Sequence, residues 1–108
     1  MTTLSTHVLD TERGTPASGV VVALYLGTRQ LARAETNTNG RVPDLAGGSL
    51  DPGAYRLVFE VGAYFAAHGH ADPFLREVAI EFGVVADQLH YHVPLLLSPY
   101  ACTTYRGS

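Results

Sequence analysis

Apolar and polar residues alternate with a period of two along most of this chain, and no other feature constrains its fold as strongly. In AYRLVFEV, residues 54–61, the alternation places Tyr55 and Leu57 on one side and Arg56 on the other. Groups of Gly, Pro and Asn interrupt the pattern about every 8 to 12 residues, as turns do between short strands. The sequence therefore predicts an all-β sandwich.

Seven or eight strands and one short helix account for the pattern. AYFAAHG breaks the alternation, and its Ala content followed by Gly predicts a helix over about residues 63–68. In NTNGR, an Asn-Gly turn is expected, with Gly40 at positive φ. Pro94 cannot donate a ladder hydrogen bond, so its strand is expected to lie partly at an edge or to carry a bulge. Strands are predicted at residues 4–10, 20–26, 29–36, 54–61, 74–82, 89–97 and in the final segment 101–108.

The composition is that of one globular domain spanning residues 1–108. A net charge of −3, with only seven basic residues, argues against nucleic-acid binding. No run of about 18 apolar residues is present, so no membrane span is expected. The single cysteine, Cys102, excludes an internal disulfide and a multi-cysteine metal site. MTTLSTHVLD lacks a basic segment followed by an apolar one, and we therefore expect a cytoplasmic protein without a secretory signal.

A few polar side chains on predicted strand faces are candidates for chemistry. His7 and His92 each lie in the middle of a strand, and His90 shares a face with His92. Half-buried, hydrogen-bonded histidines are the ordinary explanation, and imidazoles on facing strands can also bind zinc. Arg41, directly after the Asn-Gly turn, would by itself be an ordinary surface charge. Taken singly, none of these residues identifies a function.

Three separated motifs occur together, however: LSTHVLDTERGTPASGV near the start, TNTNGR in the middle and HYHVPLLLSPYACTTYRGS at the end. In this order and spacing they resemble the transthyretin-like 5-hydroxyisourate hydrolases. The resemblance runs from residue 4 to residue 108. The closing Tyr-Arg-Gly-Ser is the ending that separates these enzymes from transthyretin, a hormone carrier of the same fold.

The resemblance implies a transthyretin-like β-sandwich and a set of site residues. His7 and His92 match the catalytic histidines of the family, and Arg41 matches its substrate-binding arginine. The matching C-terminal motif, also expected to bind substrate, consists of Tyr105, Arg106, Gly107 and Ser108. Members of the family are homotetramers, dimers of dimers with active sites at the dimer–dimer interface, and need no metal or organic cofactor. Ala101 and Cys102 depart from the family pattern, which usually has Gly and an aromatic residue there.

The implied reaction opens the six-membered ring of 5-hydroxyisourate to 2-oxo-4-hydroxy-4-carboxy-5-ureidoimidazoline, a step of urate degradation to allantoin in purine catabolism. A histidine with a pKa near neutrality suits the proton transfers of such a hydrolysis. Arg41 next to an imidazole would favour its neutral form. Which histidine is the base stays open, as does whether Arg106 binds substrate or an acidic residue across an interface.

Two other functions are possible for the same fold. A carrier of a small aromatic ligand would need an apolar channel where His7, Arg41 and His92 stand, and would lack the Tyr-Arg-Gly-Ser ending. An adhesion or structural module would be expected to show neighbouring domains, linkers and often cysteine pairs. The sequence favours the hydrolase over both.

Overall fold

Two β-sheets and one short helix make up the fold in the computed structural model, which describes residues 2–108. The elements are β1 (Thr3–Asp10), β2 (Thr15–Pro16), β3 (Val21–Leu26), β4 (Arg29–Glu35), β5 (Arg41–Val42), β6 (Gly53–Phe59), α1 (Val61–Ala67), β7 (Val78–Val84), β8 (His90–Leu97) and β9 (Cys102–Thr104). One sheet has the order β2-β1-β8-β9, with β5 also paired to β1, and the other has the order β4-β3-β6-β7.

The all-β sandwich predicted from the sequence is confirmed, while several element bounds differ. The strand predicted at residues 74–82 is Val78–Val84, because the chain before it bonds outside the sheet, with Arg76 O accepting from Gly62 and Leu75 N–H donating to Pro99. The strand predicted in segment 101–108 covers only Cys102–Thr104. Two strands of only two residues, β2 and β5, were not expected, because a pair of residues carries no alternation. The helix covers Val61–Ala67 rather than residues 63–68. No helix in residues 2–108 is long and apolar enough to cross a membrane.

The core lies between the sheets and follows directly from the alternation. Along β1, buried residues alternate with half-buried ones, and Leu4 and Val8 are fully buried. Leu57 and Phe59 on β6, in the other sheet, belong to the same core and are fully buried as well. Each such side chain stabilises the fold by roughly 1.5–3 kcal/mol through its removal from water. The opposite face of the larger sheet carries His7 and His92 together with apolar residues such as Leu9 and Leu96.

A buried polar contact ties the helix to the end of β1. The Tyr64 hydroxyl donates to the Asp10 carboxylate over 2.7 Å, and the Arg13 backbone N–H donates to its other oxygen over 3.0 Å. Asp10 is fully buried, so these bonds replace the water that its carboxylate loses. Burial and the hydrogen bond to Asp10 raise the pKa of the Tyr64 hydroxyl, which therefore remains a proton donor.

The central pairing of the larger sheet is parallel and joins the two ends of the chain. β1 and β8 stay in register over eight residues, from Thr3 opposite His90 to Asp10 opposite Leu97. Side chains directly opposite each other point to the same face. This pairing therefore decides which residues of the first and last motifs meet.

A turn at Gly40 brings β5 against β1. Gly40 has φ 73°, and its carbonyl oxygen accepts the backbone N–H of Val8 over 2.7 Å. The side-chain oxygen of Asn37 accepts the backbone N–H groups of Asn39 and Arg41, which closes the turn. A Cβ at position 40 would collide with the carbonyl oxygen of Val8. Only glycine meets both requirements at this position.

We expect Gly40→Ala to lower the free energy of unfolding by at least about 3 kcal/mol, since it combines the positive-φ penalty with this collision. Chemical denaturation monitored by circular dichroism measures the loss. Gly14→Ala is the matched control, because Gly14 has φ 71° but nothing within 4 Å of its Cβ position. The control should cost only about 1–2 kcal/mol. Equal losses in both variants would contradict the proposed collision.

Candidate active site

Three of the candidate side chains lie together on one face of the larger sheet, the face turned away from the core. We call this the outer face. His7 is half-buried there, between the core-facing residues Thr6 and Val8. His92 is half-buried on the same face of β8, where Tyr91 and Val93 point inward. Arg41 is exposed, while its neighbour Val42 is buried. Three motifs far apart in sequence thus converge.

The register of the strands determines the spacing within this group. Arg41 is directly opposite His7 in the antiparallel β1–β5 pair, which corresponds to about 4.5–5.5 Å between Cα atoms. His92 is opposite Ser5, two residues along β1 from His7. Strand spacing and rise then put the Cα atoms of His7 and His92 about 8 Å apart. A flat molecule bound over this face would reach all three side chains.

The environment favours the neutral form of both imidazoles. Burial lowers the pKa of His7, and the charge of Arg41 lowers it further, while the backbone of Asn39 acts in the opposite direction. The pKa of His92 is lowered by burial, then by Arg41, His7 and His90, with the Ser5 backbone opposing. A neutral imidazole can accept a proton, so each histidine is suited to act as a base near pH 7.

The C-terminal motif reaches the same group through Gly107. Its backbone N–H donates to the carbonyl oxygen of His92 over 2.7 Å, which forms an isolated antiparallel bridge. A Cβ at position 107 would lie 2.5 Å from Cδ2 of His92. The glycine therefore lets the backbone lie directly against the imidazole and restricts where the ring can point.

Pro94 explains why the chain leaves the sheet between β9 and Gly107. The backbone carbonyl groups of His92 and Pro94 point to the same side of β8. The His92 carbonyl accepts the backbone N–H of Gly107, and the Pro94 carbonyl accepts the Thr104 hydroxyl over 2.8 Å. Backbone groups alternate sides along a strand, so the N–H that Pro94 lacks would have faced the last segment. The ladder with β9 stops at Thr104, opposite Leu95, and Tyr105 and Arg106 are exposed. This side of β8 is thus an edge at Pro94.

Arg106 takes a position different from that of the other candidates. Its guanidinium carbon lies 5.2 Å from the centre of the Tyr91 ring, on the core side of β8, at a distance suited to a cation–π contact. Arg106 also lines an open cleft of about 580 Å³. The other residues lining this cleft are Gln88, His90, Tyr105, Gly107 and Ser108. The arginine therefore borders the region of the histidines without lying on the outer face beside Arg41.

Two further residues belong to the same network: Ser5, which sequence reasoning left out, and His90, which it placed on the face of His92 without a role. Ser5 Oγ lies 2.7 Å from Nδ1 of His92 and 2.9 Å from Nε2 of His90. A signal was present, since Ser5 precedes His7 and His90 precedes His92 by two residues, the spacing of one strand face. Within residues 2–108, no group of three or more His, Cys, Asp or Glu side chains converges as metal ligands would. Cys102 is exposed on β9.

Comparisons with known proteins agree on the family. A family model described as HIUase/Transthyretin family matches residues 4–107. A 5-hydroxyisourate hydrolase of Pseudomonas aeruginosa is 45% identical, over 97% of this chain and 90% of that protein. The solved structure of Klebsiella pneumoniae 5-hydroxyisourate hydrolase has a TM-score of 0.93 and 41% identity, covering 100% of both chains. Transthyretin from Sparus aurata has a TM-score of 0.87 and 29% identity, over 96% of this chain and 95% of that one. The transthyretin-like fold predicted from the sequence is confirmed.

Replacing Arg41 tests its electrostatic effect without any substrate. In Arg41→Gln a positive charge next to both imidazoles is lost, so the pKa values of His7 and His92 should rise, while burial still holds them below 6.5. Titration of the imidazole proton resonances by NMR measures both values. Arg33→Gln, on the other sheet, removes an exposed arginine paired with Glu60 and should change neither. Unchanged values in Arg41→Gln would show that the guanidinium does not act on the histidines.

Proposed function

This chain belongs to the HIUase/Transthyretin family, and from this premise we propose that it hydrolyses 5-hydroxyisourate in urate degradation. The convergence of His7, Arg41 and His92 on one sheet face, with the pKa of both imidazoles lowered, carries the proposal most directly. The two 5-hydroxyisourate hydrolases described above match nearly the whole chain, at 45% and 41% identity. The product we propose is 2-oxo-4-hydroxy-4-carboxy-5-ureidoimidazoline.

Hydrolysis of a cyclic amide needs a base, an acid and a group that holds the substrate. One imidazole takes a proton from water, and the resulting hydroxide attacks the ring carbonyl. When the carbon–nitrogen bond breaks, an imidazole returns a proton to the leaving nitrogen. The lowered pKa values support this assignment, since a base must be neutral before it can accept the proton.

Arg41 is the group best placed to hold the substrate. Its guanidinium is exposed on the outer face beside His7, and its planar set of donors matches the carbonyl edge of an oxidised purine. The same charge can stabilise the oxyanion that develops during attack. From the C-terminal motif, Tyr105 and Ser108 border the cleft next to His90, and we propose that they close one side of the substrate site.

Gly107 and Arg106 have supporting positions in this proposal. Gly107 holds the backbone of His92 and leaves no room for the ring to move toward it. Arg106 packs on Tyr91, the residue directly before His92. This contact gives Arg106 a role in placing the last segment, in addition to substrate binding or pairing across an interface.

We also propose a homotetramer, a dimer of dimers in which a second subunit covers the outer face. The face is open in one chain, and water has free access to Arg41 and His90, which are both exposed. Apolar groups, including Leu9 opposite Leu96, lie on the same face. A second copy of the face would exclude water from the substrate, which strengthens every electrostatic contact in the site.

A transthyretin-like carrier is the main alternative, since the fold alone does not separate the two. The likeness to Sparus aurata transthyretin covers nearly the whole chain. A carrier needs an apolar surface for its ligand, whereas here the outer face presents two histidines and an arginine. We therefore favour the hydrolase.

The direct test generates 5-hydroxyisourate from urate with urate oxidase and follows its decay by ultraviolet absorbance. The protein should accelerate the decay. His7→Gln and His92→Gln should each lower kcat by about 10²–10⁴-fold, the usual contribution of a proton-transfer group. His68→Gln is the matched control, because His68 is exposed and makes one hydrogen bond to a backbone carbonyl away from the outer face. Full activity in both site variants would refute the assignment, and no acceleration by folded protein would refute the proposed activity.

Light scattering coupled to size exclusion tests the assembly. The measured mass should be about four times the 11.6 kDa of the chain. Leu96→Glu places a charge on the outer face and should yield smaller, inactive species that keep the circular dichroism spectrum of the parent protein. Leu26→Glu, at an exposed position on the other sheet, should leave the mass unchanged. A Leu96→Glu protein of unchanged mass would contradict an interface at this face.

A further inference from the structure

A single hydroxyl group lies between two imidazole rings next to the proposed site. Ser5 Oγ is 2.7 Å from Nδ1 of His92 and 2.9 Å from Nε2 of His90. The other ring nitrogen of His90, Nδ1, is hydrogen-bonded to the hydroxyl of Thr3. The four side chains form one continuous row of hydrogen bonds, Thr3–His90–Ser5–His92, which we call the relay.

The parallel register of β1 and β8 creates this row. Thr3 is opposite His90 and Ser5 is opposite His92, and all four side chains belong to the outer face. The row therefore crosses between the two strands at each step. It runs from the exposed ring of His90 to the half-buried ring of His92.

The number of protons in the row allows only two arrangements when both rings are neutral. A serine hydroxyl donates one proton, and a neutral imidazole carries one N–H. If Ser5 donates to Nδ1 of His92, that ring carries its proton on Nε2, and His90 donates from its own Nε2 to Ser5. If His92 donates from Nδ1 to Ser5, its Nε2 is bare, and Ser5 donates to His90. The tautomers of the two histidines are therefore coupled through Ser5.

We propose that Ser5 and His90 are positioning residues that set the tautomer of His92 and pass its proton to and from solvent. Since Ser5 occupies Nδ1 of His92, Nε2 is the nitrogen that remains for water or substrate. One arrangement presents Nε2 as a base and the other presents it as an acid. The proposal rests on the proposed hydrolysis for its functional meaning, and the coupling itself is a property of the free protein.

The proton count balances over one transfer. A proton taken from water enters His92 at Nε2, and the proton on Nδ1 passes to Ser5 Oγ. The proton of the Ser5 hydroxyl passes to Nε2 of His90, and the proton on Nδ1 of His90 passes to Thr3, which releases its own to solvent. In the reverse sequence, a proton from solvent passes through Thr3, His90 and Ser5 to Nδ1 of His92, and the proton on Nε2 goes to the leaving nitrogen. His92 can thus accept and later donate without holding a net charge in between.

The charges around the relay favour this neutral transfer. Arg41 on β5, His7 on β1 and His90 on β8 all act on His92 and, after burial, lower its pKa. Arg106 lines the same cleft as His90. An imidazolium at position 92 is disfavoured by these neighbours, which supports a transfer that leaves the ring neutral.

The coupling has a signature in nitrogen-15 NMR of the ring nitrogens, recorded on the intact protein without substrate. In both arrangements the two neutral rings carry their proton on the same nitrogen, both on Nε2 or both on Nδ1. The tautomer of His92 should therefore match that of His90 in the parent protein. Ser5→Ala should abolish this match, and Ser5→Thr, which keeps the hydroxyl, should restore it.

The same variants are then assayed with 5-hydroxyisourate generated by urate oxidase. Ser5→Ala should lower kcat by about 10- to 100-fold, with KM changed less than about twofold. The expected loss is smaller than the full contribution of a proton-transfer group, because His92 itself remains. His90→Gln can hold the Ser5 hydroxyl but cannot pass a proton on, and should lower kcat by about 3- to 10-fold. Ser18→Ala, in an exposed loop, should leave kcat unchanged.

The two readouts separate the two proposals. Absence of activity in the parent protein would refute the hydrolase, while the NMR response would still decide whether the relay exists. A His92 tautomer that matches His90 equally well in Ser5→Ala, or an unchanged kcat in His90→Gln, would overturn the relay. Because His90 is exposed, His90→Gln keeps the test decisive even if Ser5→Ala does not fold.

Discussion

The parallel pairing of β1 with β8 is the contact on which the rest of the structure depends. It joins segments more than 80 residues apart in sequence, so no local turn can form it, and the core between the sheets must stabilise its closure. Its register puts Ser5 opposite His92 and His7 opposite Pro94. A shift by one residue would move these side chains into the core and leave Leu4 and Val8 in solvent. The hydrophobic core and the outer-face chemistry are therefore specified by the same register.

Backbone hydrogen bonds outside the hydrophobic core complete the site. In the turn, the Gly40 carbonyl oxygen accepts the backbone N–H of Val8, and Arg41 is thereby held opposite His7. At the other end, Pro94 interrupts the ladder, and Gly107 restores it at His92. A small number of hydrogen bonds thus brings the second and third motifs to the first. The charge of Arg41 then lowers the pKa of both imidazoles, which links the position of this turn to the basicity of the site.

Much of this arrangement could be predicted because strand alternation is strong. The sandwich and the face shared by His90 and His92 follow from a period of two, and the turn at Gly40 follows from the Asn-Gly pair. The strand β5 could not be predicted, because two residues show no period. The start of the helix at Val61 could not be predicted either. Val61 lies beyond the last ladder pair of β6, and a buried apolar residue there fits a strand as well as a helix. The residues proposed to act in catalysis came from the resemblance to a family, since single histidines on strands have ordinary structural explanations.

The sequence by itself determined the class of fold, the inward and outward residues of each strand, and the three motifs that resemble one family. Only the tertiary structure decided which outward residues meet, because contacts between distant strands depend on register and on the order of strands in the sheet. It placed Arg106 over Tyr91 on the core side, away from Arg41, although both arginines belong to family motifs. It also placed Ser5 between His90 and His92, a contact that no spacing along one strand can reveal, since the hydroxyl comes from the neighbouring strand.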